Sequence, residues 1–283
     1  MFRQKVEFSM NFYLANQDWI HESDLDSAIF NSNSTIYEVV RLISGIPLFL
    51  EDHFLRLGNS FRIKRLEFDL DFLQFKANIT ELARRNQVLD GNIKFAYSEH
   101  NHIPMYIYGF IPHSYPDSED YTQGVKTDLL WAERENPNAK IIQHHIREEA
   151  NQLIKKNELY EVLLVDRNGM ITEGSRSNVF FVKGDVFYTA PVFQVLVGIT
   201  RQKVVDCLKE LNYPLIEQAV KVSEINQFDA VFLTGTSPKI LPVKSIGDLM
   251  FDTRLSIVKK LIEHYDKLIT QYILNQKSTE TSA

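Results

Sequence analysis

A turn-rich, acidic break, Pro112-His113-Ser114-Tyr115-Pro116-Asp117-Ser118-Glu119-Asp120, interrupts an otherwise regular alternation of strand-like runs and amphipathic ones. Turn formers and acids cluster there at the expense of apolar periodicity. The stretch is therefore expected to join two lobes: residues 1–111, a linker over 112–122, and residues 123–283. A chain of 283 residues suits two cores of ordinary size.

Before the break, Thr35 to Ile43 and Ile46 to Leu50 read as two strands turned at Ser44-Gly45. Glu51 to Arg62 places Phe54, Leu57 and Phe61 at helical spacing, and Asp71 to Asn86 does the same with Phe72, Phe75, Ile79, Leu82 and Ala83. Asn92 to Tyr97 and Met105 to Phe110 read as a further antiparallel pair. After the break, Val162 to Val165 reads as a buried strand closed by the turn Asp166-Arg167-Asn168-Gly169, and Asn178 to Val182 and Val231 to Leu233 as two more. Thr200 to Leu211 predicts a helix capped by Thr200, with Val204, Leu208 and Leu211 as its apolar stripe. Thr253 to Leu274 predicts a long helix, with Lys277 to Ala283 as a frayed tail.

A 44% hydrophobic and 24% charged composition is that of a soluble globular protein. The net charge of −6 offers no broad attraction for nucleic acid or an anionic membrane, so an anionic ligand would need a local cluster of donors. No run approaches the ~18–20 apolar residues of a membrane span. The start, Met1-Phe2-Arg3-Gln4-Lys5, is not followed by an apolar signal segment, and a reducing cytoplasm is expected. The single cysteine, Cys207, excludes an intrachain disulfide and a zinc site of several thiolates. Within Val204-Val205-Asp206-Cys207-Leu208 it is expected to be buried and inert.

Four stretches carry candidate chemistry. In Ile171-Thr172-Glu173-Gly174-Ser175-Arg176-Ser177-Asn178-Val179-Phe180-Phe181, a lone acid enters an apolar strand, which is costly unless a cation meets it. A capping or turn glutamate is the commoner explanation on local grounds. Val197-Gly198-Ile199-Thr200-Arg201 opens a helix whose first N–H groups make an anion site, or simply an ordinary helix start. Leu233-Thr234-Gly235-Thr236-Ser237-Pro238-Lys239 runs a strand into hydroxyl residues around a glycine, able to hold phosphate or carboxylate, or to turn the chain. In His53-Phe54-Leu55-Arg56-Leu57, Arg56 lies beside an apolar stripe and either points inward toward an anion or snorkels to the surface.

In this order the four stretches resemble the class IV aminotransferases, the fold-type IV enzymes of pyridoxal 5'-phosphate. These include branched-chain aminotransferase, D-amino acid aminotransferase and aminodeoxychorismate lyase. The resemblance runs from about Thr35 to Val243 and is strongest from Leu163 to Pro242. It implies an α+β, two-domain fold, with a smaller N-terminal α/β lobe and a larger C-terminal lobe built on a β-barrel-like core. It implies that Glu173 faces the pyridine nitrogen of the cofactor and keeps it protonated. The neighbouring Ser177 and Asn178 of the same signature join the cofactor site. Arg56, Gly198, Ile199, Thr200 and Thr236 hold the cofactor phosphate. The lysine that carries the cofactor stands 21 residues before Glu161 of Glu161-Val162-Leu163-Leu164-Val165-Asp166, the family's separation, and is Lys140. Lys155 and Lys156, nearer the strand, read as solvated helix lysines.

Branched-chain enzymes place a tyrosine five positions after the lysine, facing the cofactor's phenolic oxygen. This chain has His145 there, able to donate a similar bond. Tyr37, Arg41, Thr236 and Ser237 are the candidate contacts to the substrate carboxylate. Members carry Asp-Arg-Gly and Gly-Asp-Gly before the aromatic-Glu pair; this chain has Ala28-Ile29-Phe30-Asn31-Ser32-Asn33-Ser34-Thr35 before Tyr37-Glu38. Asparagine adopts left-handed backbone angles, which keeps a turn available there. The Arg-x-His carboxylate trap of D-amino acid enzymes is not visible from Tyr97 to Tyr108, which points away from D-amino acid transamination. The adjacent His144 and His145 point in different directions on a helix, with no matching acidic ligands nearby, and no metal is expected. The activity implied is amino-group transfer from an amino acid, branched-chain among the candidates, to a 2-oxo acid, by a homodimer. A lyase on the same scaffold, releasing pyruvate from 4-amino-4-deoxychorismate, uses the same cofactor residues and stays open. So does a catalytically silent binding protein.

Overall fold

The computed structural model describes residues 12–25, 32, 35–100 and 103–281. Of the stretch from Ala28 to Thr35, where the sequence departs from the family pattern, all but Ser32 and Thr35 lies outside the described residues. The chain divides into two units: Met1–Ser114 with Ala139–Ile142 and Ile269–Ala283, and Tyr115–Asn138 with Gln143–Leu268.

The first unit is built on an antiparallel sheet of β1 (Phe12–Ala15), β2 (Asp18–His21), β3 (Ile36–Ile43), β4 (Ile46–Pro47), β5 (Gly91–His100) and β6 (Ile103–Ile111), in the order β2-β1-β6-β5-β3-β4. Ser44 and Gly45 join β3 to β4 with φ of 51° and 82°. Two consecutive positive values match the twist of a two-residue hairpin. Along β3 the side chains alternate between faces. Ile36, Val40 and Leu42 go to the core formed with α1 (Leu50–Ile63) and α2 (Phe72–Asn86). There they meet Leu57 and Phe61 of α1 and Phe75, Ile79 and Leu82 of α2, each of these helical residues fully enclosed. Asp71 proves to be the cap of α2, its carboxylate accepting the Gln74 N–H at 3.0 Å.

The second unit carries a strongly curled sheet, a half-barrel. Its strands are β7 (Val125–Trp131), β8 (Glu161–Val165), β9 (Met170–Gly174), β10 (Asn178–Lys183), β11 (Val186–Thr189), β12 (Leu215–Glu217), β13 (Val220–Lys221), β14 (Ala230–Gly235), β15 (Lys239–Ile246) and β16 (Leu249–Met250). They run in the order β12-β11-β10-β14-β15-β7-β8-β9-β13, with β16 beside β15. Pairing is antiparallel except at β11/β12, β15/β7 and β7/β8. Every residue of β8 is buried, as an unbroken apolar run after a single acid requires. Helices α4 (His144–Asn157) and α5 (Ile199–Glu210) belong to this unit, and α6 (Ser256–Thr281) starts in it and passes to the first unit at Ile269. Cys207 of α5 is buried, and burial pushes its thiol up to about 11, which leaves it unreactive at neutral pH. No helix among the described residues is long and apolar enough to cross a membrane.

Three local expectations are corrected. The expected linker contains a helix, α3 (Ser118–Gln123). Asp117 and Asp120 form a reciprocal capping box, so the acids that suggested a turn are the signal for a helix start. Thr200 does not cap α5; the helix begins at Ile199, Gly198 is the N-cap, and no side chain caps it. The last helix starts at Ser256 because the Asp252 carboxylate accepts the Arg254 N–H and turns the chain first. It then continues to Thr281, through residues expected to fray. Gln276 is bonded to Lys76 and Glu51, and Tyr272 to Glu51 at 2.8 Å, which ties these turns to the first unit.

Candidate active site

In the first unit the candidate side chains gather at the start of β3. Residues 139–142 lie against it: the Tyr37 N–H donates to the Lys140 carbonyl at 3.0 Å, the Ile142 N–H to the Thr35 carbonyl at 3.1 Å, and Ile141 bridges Ile36. The Lys140 N–H donates to Ser60 Oγ at 3.1 Å. Both backbone polar groups of Lys140 are thus satisfied, and its position is set by buried Ala139, Ile141 and Ile142 on either side. The half-buried Lys140 side chain brings Nζ to 4.6 Å from the centre of the Tyr37 ring. Arg41 lies two alternations along on the same strand face as Tyr37.

Glu38 points to the opposite face, into the core, where it is completely enclosed. Arg56 donates to it twice, from Nε at 2.8 Å and from Nη2 at 2.7 Å, and His53 Nδ1 lies 2.7 Å from Oε2. Burial alone would raise the carboxyl, but the Arg56 charge and the hydrogen bonds from Arg56 and His53 outweigh it and hold it at about 2. Burial pushes His53 below its ordinary value despite the bond to Glu38. His53 is therefore neutral at pH 7, and its Nδ1–H donates to an ionised Glu38. Arg56 points inward, as its place beside the stripe suggested, and meets an anion supplied by the protein itself.

Replacing Glu38 with glutamine should cost about 3–5 kcal/mol of stability at pH 7, because it leaves the Arg56 charge buried without its counter-ion. The folded-state carboxyl lies below its unfolded value, so the stabilisation is fully present above about pH 4.5 and is lost as pH falls toward 2. Urea titrations of both proteins at pH 7 and pH 3 check this. The gap between them should narrow at the lower pH.

In the second unit the organising group is Glu173 on β9, 3% exposed. Its Oε2 accepts the Leu196 N–H at 3.1 Å and Asn178 Nδ2 at 3.4 Å. Its Oε1 lies 2.9 Å from Arg134 Nε, a charge contact without hydrogen-bond alignment. The Arg134 guanidinium also donates through Nη2 to the Ser175 carbonyl. A cation does meet the lone acid, and a capping role is not what Glu173 performs. The turn that follows is held by buried Glu161, which accepts from Ser175 Oγ at 2.6 Å, Ser177 Oγ at 3.0 Å and the Arg176 N–H at 3.0 Å. Ser177 therefore fixes the turn, while Asn178 spans Glu173 and the Leu196 carbonyl, the latter at 2.9 Å.

Leu196 leads to the start of α5. Gly198 passes so close to Asn178 that a Cβ there would collide with Oδ1. Ile199 and Thr200 are buried at the positive end of this uncapped helix. Thr234, beside Asn178 in the sheet, has a buried Oγ1 with no partner among the described residues. Thr236 and Ser237 occupy the turn between β14 and β15, half-buried. His145 is exposed on the first turn of α4 and stands in neither group.

Arg134, Glu38, His53 and Glu161 were not among the expected site residues. Glu38 and Glu161 carry the signal that singled out Glu173, an acid among apolar strand residues. Arg134 sits in Ala132-Glu133-Arg134-Glu135, which reads as solvated.

The model of the class IV aminotransferases matches residues 35–246. A D-alanine aminotransferase of Bacillus licheniformis is 29% identical over 240 residues, covering 79% of this chain and 82% of that protein. A probable branched-chain-amino-acid aminotransferase of Thermotoga maritima is 28% identical over 240 residues, covering 81% and 84%. Among solved structures, the branched-chain aminotransferase of Thermoproteus uzoniensis with norvaline superposes with a TM-score of 0.82 at 21% identity, over 93% of this chain and 96% of that one. The chain belongs to the class IV aminotransferase family. Enzymes of this family depend on pyridoxal phosphate and work on amino acids and 2-oxo acids.

The residues present fit such a cofactor. In the first unit Lys140 offers an amine for its aldehyde; in the second, a buried carboxylate can accept its ring N–H, and a helix start with no side-chain cap, behind a glycine, can receive its phosphate.

Proposed function

We propose that the chain carries pyridoxal 5'-phosphate on Lys140 and moves an amino group between an amino acid, branched-chain among the candidates, and a 2-oxo acid. The observation that carries the assignment is Lys140 itself. It is the amine of a segment pinned to the sheet by both backbone polar groups, with Nζ held at a tyrosine face. When bound, the cofactor withdraws electrons from the substrate α-carbon. Lys140 Nζ would hold the cofactor by its aldehyde and serve as the base that moves the proton at the substrate α-carbon. Glu173, which faces Arg134 and accepts the Leu196 N–H, would accept the N–H of the pyridine ring. Asn178 keeps the Glu173 carboxylate in place, and Ser177 the turn behind it. The amides of Ile199 and Thr200 behind Gly198, with Thr236 and Arg56, would hold the phosphate; Tyr37, Arg41, Thr236 and Ser237 would receive the substrate carboxylate.

A cytoplasmic homodimer belongs to the same proposal. The lone buried cysteine supports the compartment, and exposed Phe193 and Met250 are large apolar groups that a second copy would cover.

The test is an assay of amino donor loss with and without 2-oxoglutarate, using leucine, valine and alanine of both hands. Loss that requires the acceptor is the expected result. Pyruvate released from 4-amino-4-deoxychorismate without an acceptor would replace transamination with the lyase. A preparation that stays colourless when supplied with the cofactor would leave only a binding protein.

A further inference from the structure

The Tyr37 ring has a second cation beside it. Lys94 lies on β5, where it pairs with Val39 of β3, and it is only 4% exposed. Its Nζ stands 5.6 Å from the Tyr37 ring centre, and Lys140 Nζ stands 4.6 Å from the same centre. Two groups so placed are at most about 10 Å apart, and burial limits how far water screens them from each other. Neither can relax away easily. The Lys94 backbone is fixed by the β3–β5 register, and that of Lys140 by its bonds to Tyr37 and Ser60.

We propose that Lys94 tunes Lys140, using its charge to lower the proton affinity of the amine that receives the cofactor. The inference rests on the reading of Lys140 as that amine.

An ordinary lysine amine, with a pKa of about 10.4, is almost wholly protonated at neutral pH and cannot attack an aldehyde. A neighbouring cation disfavours the charged form and frees the lone pair. On β3, the negative Glu38 is matched by Arg56 of α1, which grips it at two points. His53 of α1 is neutral at pH 7, and the Tyr37 face favours cations. Lys94 on β5 adds a positive charge on the Tyr37 side. At a separation of about 10 Å and an effective dielectric constant of about 20, its effect is roughly one pH unit. That is tenfold more free amine at neutral pH.

The experiment uses the full chain freed of cofactor. Lysines are labelled with fluorodinitrobenzene across a pH series, and modification at each site is read by peptide mass spectrometry. Lys140 should titrate below exposed Lys155 and Lys156, which serve as references within the same molecule. In K94M the Lys140 midpoint should rise by about one pH unit, and its labelling at pH 7.5 should fall roughly tenfold. In K94R, which keeps the charge, the wild-type midpoint should return. A midpoint unmoved in K94M, or moved equally in K94R, overturns the proposal. So does a wild-type Lys140 that titrates with Lys155 and Lys156, a comparison that needs no variant to fold. Failure of the underlying reading shows differently. Borohydride would then fix the cofactor to another lysine, while the Lys140 midpoint still followed the charge at residue 94.

Discussion

Replacing Lys140 with alanine is expected to reduce amino-group transfer about ten-thousandfold, because one side chain is both the nucleophile and the proton carrier. The fold should survive. The two backbone bonds of Lys140, to Ser60 Oγ and from the Tyr37 N–H, do not involve its side chain. The contact to the Tyr37 ring, worth about 0.5–2 kcal/mol, is among what is lost. A near-normal melting temperature together with absent turnover is the expected pair of results. Borohydride should fix cofactor to the wild-type peptide containing residue 140 and leave the variant unlabelled. Lys140→Arg makes a stricter control, since it keeps the charge beside Tyr37 while removing a usable amine. If K140A transfers amino groups within tenfold of wild type, the amine lies elsewhere and the assignment is wrong.

The physical signals in the sequence differ in how far they reach. The strand pair turned at Ser44-Gly45 and helices α1 and α2 follow from periodicity alone, because each must present one apolar face to the same core. Pro112 to Asp120 hides a helix start because turn formers and cap formers are the same residues; Asp117 and Asp120 differ from a turn only in bonding reciprocally over three positions. Glu173 was legible as an acid that needs a cation. Glu38 obeys the same rule inside Ile36-Tyr37-Glu38-Val39-Val40, and Arg56, three residues after His53, stands beside an apolar stripe that allows it to face inward or to snorkel. Joining the two needed only the alternation of β3, which sends Glu38 to the helix-covered face. Arg134 was beyond reach, because its partner is 39 residues away in a strand that a local charge pattern cannot identify. Lys140 came from the spacing of a family, not from its own surroundings. The structure supplies the missing cause: Ile141 and Ile142 extend the pairing of β3 and carry the lysine to Tyr37.

Replacing Glu173 with glutamine should lower turnover by roughly a hundred- to a thousandfold, the loss seen when one preorganised electrostatic group is removed. The amide is nearly the same shape as the carboxylate, so the effect isolates charge. Only an anion beside a ring nitrogen favours its protonated form, and a neutral amide gives up that preference. The local structure predicts a second effect. Arg134 is 2.9 Å from Oε1 and largely buried, and in the variant it faces an amide, so about 3 kcal/mol of stability should go with the charge. The two effects separate through Arg134→Gln, which unpairs the same contact while keeping the carboxylate. It should share much of the loss of stability and little of the loss of turnover, because the Leu196 N–H and Asn178 still hold Oε2. Steady-state rates and urea titrations on the three proteins decide it. Should E173Q turn over within a few-fold of wild type, Glu173 is a structural acid whose business is with Arg134 alone. Should R134Q lose as much turnover as E173Q, the pair works as one unit and the carboxylate cannot be credited separately.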